Sequence, residues 1–236
     1  MKTAFRFKHF SISDSGCAMK LSSDAVLLGA AAEPGQSKRI LDIGSGCGIL
    51  ALMMAQKSNA LIDAIEIDKS AAHQAAGNFS RSKWAERLKI YHTSIQQYTD
   101  SCNFKYDCII CNPPYFQGQL TGPDERKNQA KHDIGLNFEE LGICAKKLLS
   151  ESGTFWVILP ASEKNNIQRS FLNVGLYGKK LIYIADKPGE QVKRIICCFS
   201  SEFANEAVIA EIFLKNLDET LSEAYKELTG DFYLHL

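Results

Sequence analysis

Residues 39 to 48 read Arg39-Ile40-Leu41-Asp42-Ile43-Gly44-Ser45-Gly46-Cys47-Gly48, a short apolar strand running into three alternating glycines. The stretch from Ile49 to Gln56 then carries apolar residues at helical spacing. A strand, a glycine turn and a helix in that order form the opening of a βαβ unit, with backbone free to approach a ligand at the helix N-terminus. The dinucleotide fingerprint needs a third glycine at position 49, which is isoleucine, and no Gly-Lys-Ser/Thr is present to grip phosphates. A Rossmann dehydrogenase and a P-loop are therefore disfavoured. Glu66 closes the next apolar run, Leu61 to Glu66, at about the interval where an acid accepts hydrogen bonds from ribose hydroxyls. Loop, acid and the preceding Asp42 together suit a nucleoside ligand that lacks pyrophosphate. S-adenosylmethionine is such a ligand.

The rest of the chain keeps the alternation of short apolar runs and longer amphipathic stretches. Strands are expected at 39–43, 61–66, 88–92, 106–111, 153–159, 180–185 and 194–200. Helices are expected at 49–56, 69–79 and 138–149, with another before residue 180. Lys187-Pro188-Gly189 lies between the last two strands and predicts a hairpin. The fold class is α/β, a seven-stranded, mostly parallel sheet with one antiparallel strand and helices on both faces. The tail adds a strand, Ala207 to Phe213, and a helix, Leu217 to Leu228. Phe5 to Ala32 precedes the first strand and is surplus to the sheet, a candidate lid or cap. We read one domain, with residues 1–35 as cap, 36–200 as sheet core and 201–236 as the C-terminal strand and helix.

Lysine plus arginine and aspartate plus glutamate both number 27, so the overall charge neither favours nor excludes nucleic acid. Charges break up the first ten residues, which offer no signal-peptide core, and no run is long enough to span a bilayer. The expected location is the cytoplasm. Cys108 and Cys111 form a Cys-x-x-Cys inside an apolar strand, where positions three apart face opposite ways and cannot grip one ion. No metal is expected, and the eight cysteines read as small buried hydrophobes in a reducing compartment.

The run 106–111 ends in Asn112-Pro113-Pro114-Tyr115-Phe116. Two prolines stop a strand and stiffen the turn at the sheet edge where α/β proteins bind ligands. An amino group conjugated to a purine or a carbonyl is a poor nucleophile. If the Asn112 side-chain oxygen and the Pro113 carbonyl each accept one of its N–H groups, the nitrogen moves towards tetrahedral geometry. Its lone pair then faces the sulfonium methyl. Tyr115 and Phe116 can stack on a planar substrate, and a base within a helix or tight loop must first turn outward.

Asp42 to Gly48 together with Asn112 to Tyr115 resembles a class I N-methyltransferase. The resemblance narrows with Phe7 to Phe10, Cys17 to Ala30, Asn78 to Trp84, Pro123 to His132 and Asp231 to Leu234. These segments are similar to those of bacterial tRNA1(Val) adenine-N6 methyltransferases, over nearly the whole chain. The resemblance implies methylation at N6 of an adenosine beside the anticodon of a valine tRNA, with Lys20 and Asp24 helping to close the cofactor pocket. The position that commonly offers an acid to the cofactor adenine is Ser94 here, and Lys131 stands where arginine is expected. Arg126, Lys127, Lys131 and His132 are candidates for holding phosphates, as is a second cluster of Lys179, Lys180, Lys187, Lys193 and Arg194. A monomer is favoured.

Alternatives stay open on the sequence. A protein glutamine methyltransferase also uses Asn-Pro-Pro-Tyr, but fewer than forty residues precede Ile40, too few for the helical domain such enzymes usually carry. Guanine N2 in ribosomal RNA and adenine in DNA are further amino acceptors. A catalytically silent RNA-binding scaffold would have no use for Gly44, Gly46, Gly48, Glu66 and Asn112.

Overall fold

The computed structural model describes residues 4–17, 20–113, 137–203 and 206–235. A two-stranded hairpin opens the chain, β1 (Phe5–Arg6) and β2 (Ser11–Ile12), followed by helix α1 (Ser23–Ala31). Then β3 (Arg39–Ile43), α2 (Ile49–Lys57), β4 (Leu61–Glu66), α3 (Lys69–Ser80), β5 (Leu88–His92), α4 (Ile95–Ser101) and β6 (Tyr106–Cys111) alternate. After them come α5 (Phe138–Leu148), β7 (Leu149–Pro160), α6 (Lys164–Asn173), β8 (Tyr177–Ala185), β9 (Arg194–Ser200), β10 (Val208–Phe213) and α7 (Glu223–Thr229).

Among the described residues the main sheet has eight strands, in the order β10-β8-β9-β7-β6-β3-β4-β5. Every neighbouring pair is parallel except those made by β9, which runs antiparallel between β7 and β8. The mostly parallel α/β sheet with one reversed strand is thus the observed class, and the tail strand joins it as an eighth, parallel edge strand. Strand β9 closes the expected hairpin with β8, and Gly189 in the turn takes a φ of 82°.

Strand alternation divides the interior in two. Ile40, Cys108, Ile110, Ile196 and Cys198 point into one core, shared with α1, α2 and α3. Leu41, Ile43, Ile109, Cys111, Ile195 and Cys197 point into the other, covered by α4, α5 and α6. Central parallel strands buried on both faces need apolar side chains at nearly every position, which is what β3 and β6 supply. Cys108 and Cys111 fall in opposite cores, as period-two geometry requires.

Helix α1 lies in the expected cap segment, and all of its residues but Ser23 are buried. A helix apolar on every side has no amphipathic period to betray it, and it is built into the core rather than laid over it. Ser22 caps its N-terminus by accepting from the Ala25 N–H at 3.2 Å. At the other end the Lys57 ammonium donates to the carbonyls of Gly29, Ala30 and Ala32, in the region where the helix dipole favours a cation. A Cβ on Gly29 would sit 2.5 Å from Met53 Sδ, so this glycine is what lets α1 close on α2. Helix α7 is shorter than the expected 217–228. Asn216 to Thr220 instead forms a turn in which Glu219 takes a φ of 69°, and Ser222 caps the helix that follows.

Strands β4 and β5 extend the sheet to one side of β3, and β6 and β7 to the other. The carboxyl ends of β3 and β6 therefore flank a topological switch point, the place where open α/β sheets hold ligands.

Candidate active site

The glycine loop leaves β3 at this switch point. Gly44, Gly46 and Gly48 have φ values of 68°, 55° and 87°, left-handed conformations that side chains rarely adopt. The three glycines serve two purposes. A Cβ on Gly44 or Gly46 meets nothing within 4 Å, so these two face open space. A Cβ on Gly48 would lie 2.4 Å from Phe79 Cε1, so the third glycine admits α3.

Glu66 at the end of β4 fastens the loop. One carboxylate oxygen accepts from the Gly46 N–H at 2.8 Å and the other from the Asp68 N–H at 2.9 Å. The Ile65 carbonyl takes the N–H groups of Gly44 and Ser45, both at 3.0 Å. Asn78, 1% exposed on α3, grips the loop from behind. Its amide donates to the Cys47 and Ser13 carbonyls, each at 2.8 Å, and its oxygen accepts from the Ser13 N–H at 3.1 Å. One buried amide thus joins the loop to the N-terminal segment. In the sequence it stood only within a family-like stretch. The available signal was a polar residue on the apolar face formed by Ala71, Ala75 and Phe79.

Asp42 lies beneath the loop and is fully buried. One oxygen accepts from the Ala51 N–H, in the first turn of α2, at 3.1 Å. The other has no hydrogen-bond partner among the described residues. Burial pushes its carboxyl up to about 8, against the pull of the Ala51 bond and with some help from the charge on Glu66. A cation brought near this oxygen would reverse the shift.

Beyond Glu66, Ile67 is 71% exposed, and its carbonyl lies 3.1 Å from His92 Nε2. The Thr93 N–H donates to the Glu66 carbonyl at 3.0 Å, so the β5 end stays beside the acid. Ser94 follows and caps α4, its oxygen accepting from the Gln97 N–H at 3.2 Å. Its hydroxyl proton is left for another acceptor. Ile67 escaped the sequence reading, although a large apolar residue directly after a strand-ending acid was the cue.

Across the switch point, Cys111 pairs with Ile43, which sets Asn112 and Pro113 next to Gly44. Asn112 is half-buried and Pro113 buried. The neighbouring strand β7 ends at Pro160, opposite Arg194 at the start of β9. Arg194 is ion-paired with Asp24 in the first turn of α1.

The methyltransferase small domain family model matches residues 19–180 of this chain. The tRNA1(Val) (adenine(37)-N6)-methyltransferase of Pedobacter heparinus is 40% identical over 237 residues, covering 99% of each chain. That of Bacteroides fragilis is 38% identical over 236 residues, covering 98% of each. The chain belongs to this methyltransferase family. Among solved structures, a predicted O-methyltransferase from Agrobacterium tumefaciens superposes with a TM-score of 0.63 over 88% of this chain and 96% of that one. At 16% identity it speaks for the fold alone.

Within this methyltransferase, the expected cofactor residues Asp42, Gly44, Gly46, Gly48, Glu66, Ser94 and Asn112 lie along the ends of β3, β4, β5 and β6. Lys20 and Asp24 come from the N-terminal segment instead. The Lys20 ammonium donates to the Asp14 and Cys17 carbonyls at 2.8 and 3.1 Å, tying down its own turn, and Asp24 meets Arg194. Pro114, Tyr115, Phe116, Arg126, Lys127, Lys131 and His132 lie outside the described residues.

The second basic cluster is charge-balanced. Lys179 pairs with Glu202, Lys180 with Glu33, Lys187 with Glu219, Lys193 with Asp186 and Arg194 with Asp24. Its acids lie far away in sequence for the most part, so the run of lysines reads as more cationic than the folded surface is. No helix among the described residues is long and apolar enough to cross a membrane.

Proposed function

We propose that this chain transfers the methyl group of S-adenosylmethionine to N6 of adenosine 37 in tRNA1(Val), the reaction named for its relatives. The observation that carries the reading is the register of β3 and β6, which puts the Asn112-Pro113 turn beside the glycine loop at the switch point. The residues fit the cofactor. The loop leaves open space before Gly44 and Gly46, and Glu66 keeps further lone pairs for two ribose hydroxyls. Exposed Ile67 offers an apolar face to the adenine, with the Ser94 hydroxyl at its edge. The unpartnered oxygen of Asp42 suits the cofactor ammonium, directly or through one water. When bound, S-adenosylmethionine supplies an electrophilic methyl on sulfonium sulfur.

The chain's own part is to orient the acceptor. The Asn112 side-chain oxygen and the Pro113 carbonyl take the two N–H groups of the adenine amine and turn its lone pair towards the methyl. Positive charge growing on nitrogen strengthens both bonds, so they act most in the transition state. The alkylated nitrogen is acidic and loses its proton to water, so no strong base is needed. Tyr115 and Phe116 stack on the outturned base, and Arg126, Lys131 and His132 hold neighbouring phosphates. In this reading Lys20 and Asp24 help to close the cofactor pocket, Lys20 by tying down the turn before α1 and Asp24 from the first turn of that helix. The protein works as a monomer in the cytoplasm, without a metal, as one methyltransferase unit with its N-terminal segment built in. Eight free cysteines suit that compartment.

The test is to incubate unmodified tRNA1(Val) transcript with the protein and labelled cofactor, digest it and identify the methylated nucleoside and fragment. N6-methyladenosine at nucleotide 37 is expected. Label on guanine, or on a transcript whose target adenosine is replaced, overturns the assignment.

A further inference from the structure

We infer that Arg194 is a phosphate-binding residue for the methyl-accepting nucleotide, held in place by Asp24; this rests on the nucleic-acid reading above. Three observations carry it. First, Arg194 begins β9 opposite Pro160, so it stands at the carboxyl edge of the parallel strands, two strands from β6 and Asn112. With Arg194 two residues past the level of Asn112 along the strands, the usual strand spacing and rise put the two backbones about 12 Å apart. The separation is comparable with the span from a nucleobase amine to its own phosphate. Second, strand alternation points Arg194 to the same face as Asp42 and α1, because Ile195 and Leu41 point to the other.

Third, the pairing of Arg194 is unlike that of its basic neighbours. Lys179, Lys180, Lys187 and Lys193 meet carboxylates whose side chains are 36% to 65% exposed, whereas the Asp24 side chain is 13% exposed. Arg194 approaches Asp24 through Nε as an ion pair, and the arginine side chain is 31% exposed. The terminal amino groups lie on the far side of the guanidinium from Nε, at the end of a side chain that is partly open to solvent. A guanidinium ion-paired on its Nε side presents its terminal amino groups as a planar fork, the geometry that grips two phosphate oxygens. Asp24 fixes the fork before the nucleotide arrives and lowers the ordering cost of the contact.

The test measures affinity for unmodified tRNA1(Val) transcript over a range of salt concentrations, with cofactor affinity measured in parallel. Each phosphate contact contributes about 0.7 to 0.9 to the slope of log affinity against log salt. Arg194→Gln is expected to lower that slope by one such step and leave the cofactor dissociation constant unchanged. Arg194→Lys is expected to restore the slope while the KM for RNA stays raised, because the charge returns without the fork. Should Arg194→Gln fail to fold with Asp24 left uncompensated, Asp24→Asn/Arg194→Gln removes both charges and must show the same loss of slope. A wild-type slope in the folded glutamine variant overturns the inference. Wild-type protein that neither binds nor methylates the transcript overturns the nucleic-acid reading itself, and the phosphate contact with it.

Discussion

Asn78→Ala should weaken both the fold and the cofactor site, in a ratio that the structure sets. The substitution strips partners from the Cys47 carbonyl, which is buried, and from the carbonyl and N–H of Ser13, which are partly buried. A buried group left unsatisfied costs about 1–3 kcal/mol, and a partly solvated bond about 1 kcal/mol. The loss is therefore about 3–5 kcal/mol. For a chain of 236 residues, about 2–4 °C per kcal/mol gives a fall in Tm of roughly 6–20 °C. Part of that energy holds the glycine loop in one conformation. If about 1–2 kcal/mol of it is loop-specific, cofactor affinity falls roughly five- to thirtyfold through the lost population of the competent loop. Calorimetric titration with S-adenosylmethionine, alongside thermal melts, measures both. Asn78→Asp keeps the shape and the acceptor for the Ser13 N–H but loses both donated bonds, so it should be no milder. A large fall in Tm with affinity within twofold of wild type would refute the coupling between Asn78 and the loop.

Three further outcomes are expected. Asn112→Ala should lose most turnover with little change in cofactor affinity; single-turnover methylation within a few-fold of wild type would remove it from the nitrogen-gripping role. Glu66→Ala frees the Gly46 N–H as well as the ribose site, so the cofactor dissociation constant should rise at least tenfold, or about 1.4 kcal/mol; an unchanged constant in titration contradicts it. Asp42 binds its proton more tightly in the folded protein than in the unfolded chain, so its stabilising share is complete below pH of about 4 and is lost as pH rises through about 8. Asp42→Asn should therefore raise the cofactor-free Tm most near pH 8 and least near pH 5, with weaker cofactor binding throughout; a pH-independent difference in melts refutes the buried acid.

The elements legible in the sequence were those with a local cause. Arg39–Ile43, the three glycines, Glu66 and the double proline each announce themselves through short-range stereochemistry, and the structure orders the strand, the glycines, Glu66 and Pro113 along one sheet edge. Helix α1 went unannounced because uniform burial erases periodicity. The tail helix was placed too early because Leu217 and Leu221 imitate helical spacing, while the Asp218–Thr220 turn and the Ser222 cap decide its start. The cluster at 179–194 looked cationic because its acids, Glu33 and Asp24 among them, are brought in by the fold alone. Asn78 likewise has its partners 65 and 31 residues away.

The hairpin that carries Phe7 and Lys8 is completed by Phe232 and Tyr233, through the Phe7–Tyr233 bridge and the bond from the Lys8 N–H to the Phe232 carbonyl at 2.8 Å. The same segment continues to Ser13, which Asn78 ties to the cofactor loop. The hairpin therefore settles only once residues more than 220 positions further along the chain are in place. Removing residues 230–235 would leave every described strand of the main sheet in place yet free the segment that Asn78 ties to the cofactor loop, so damage at this distant hairpin is expected to loosen the hold on the methyl donor.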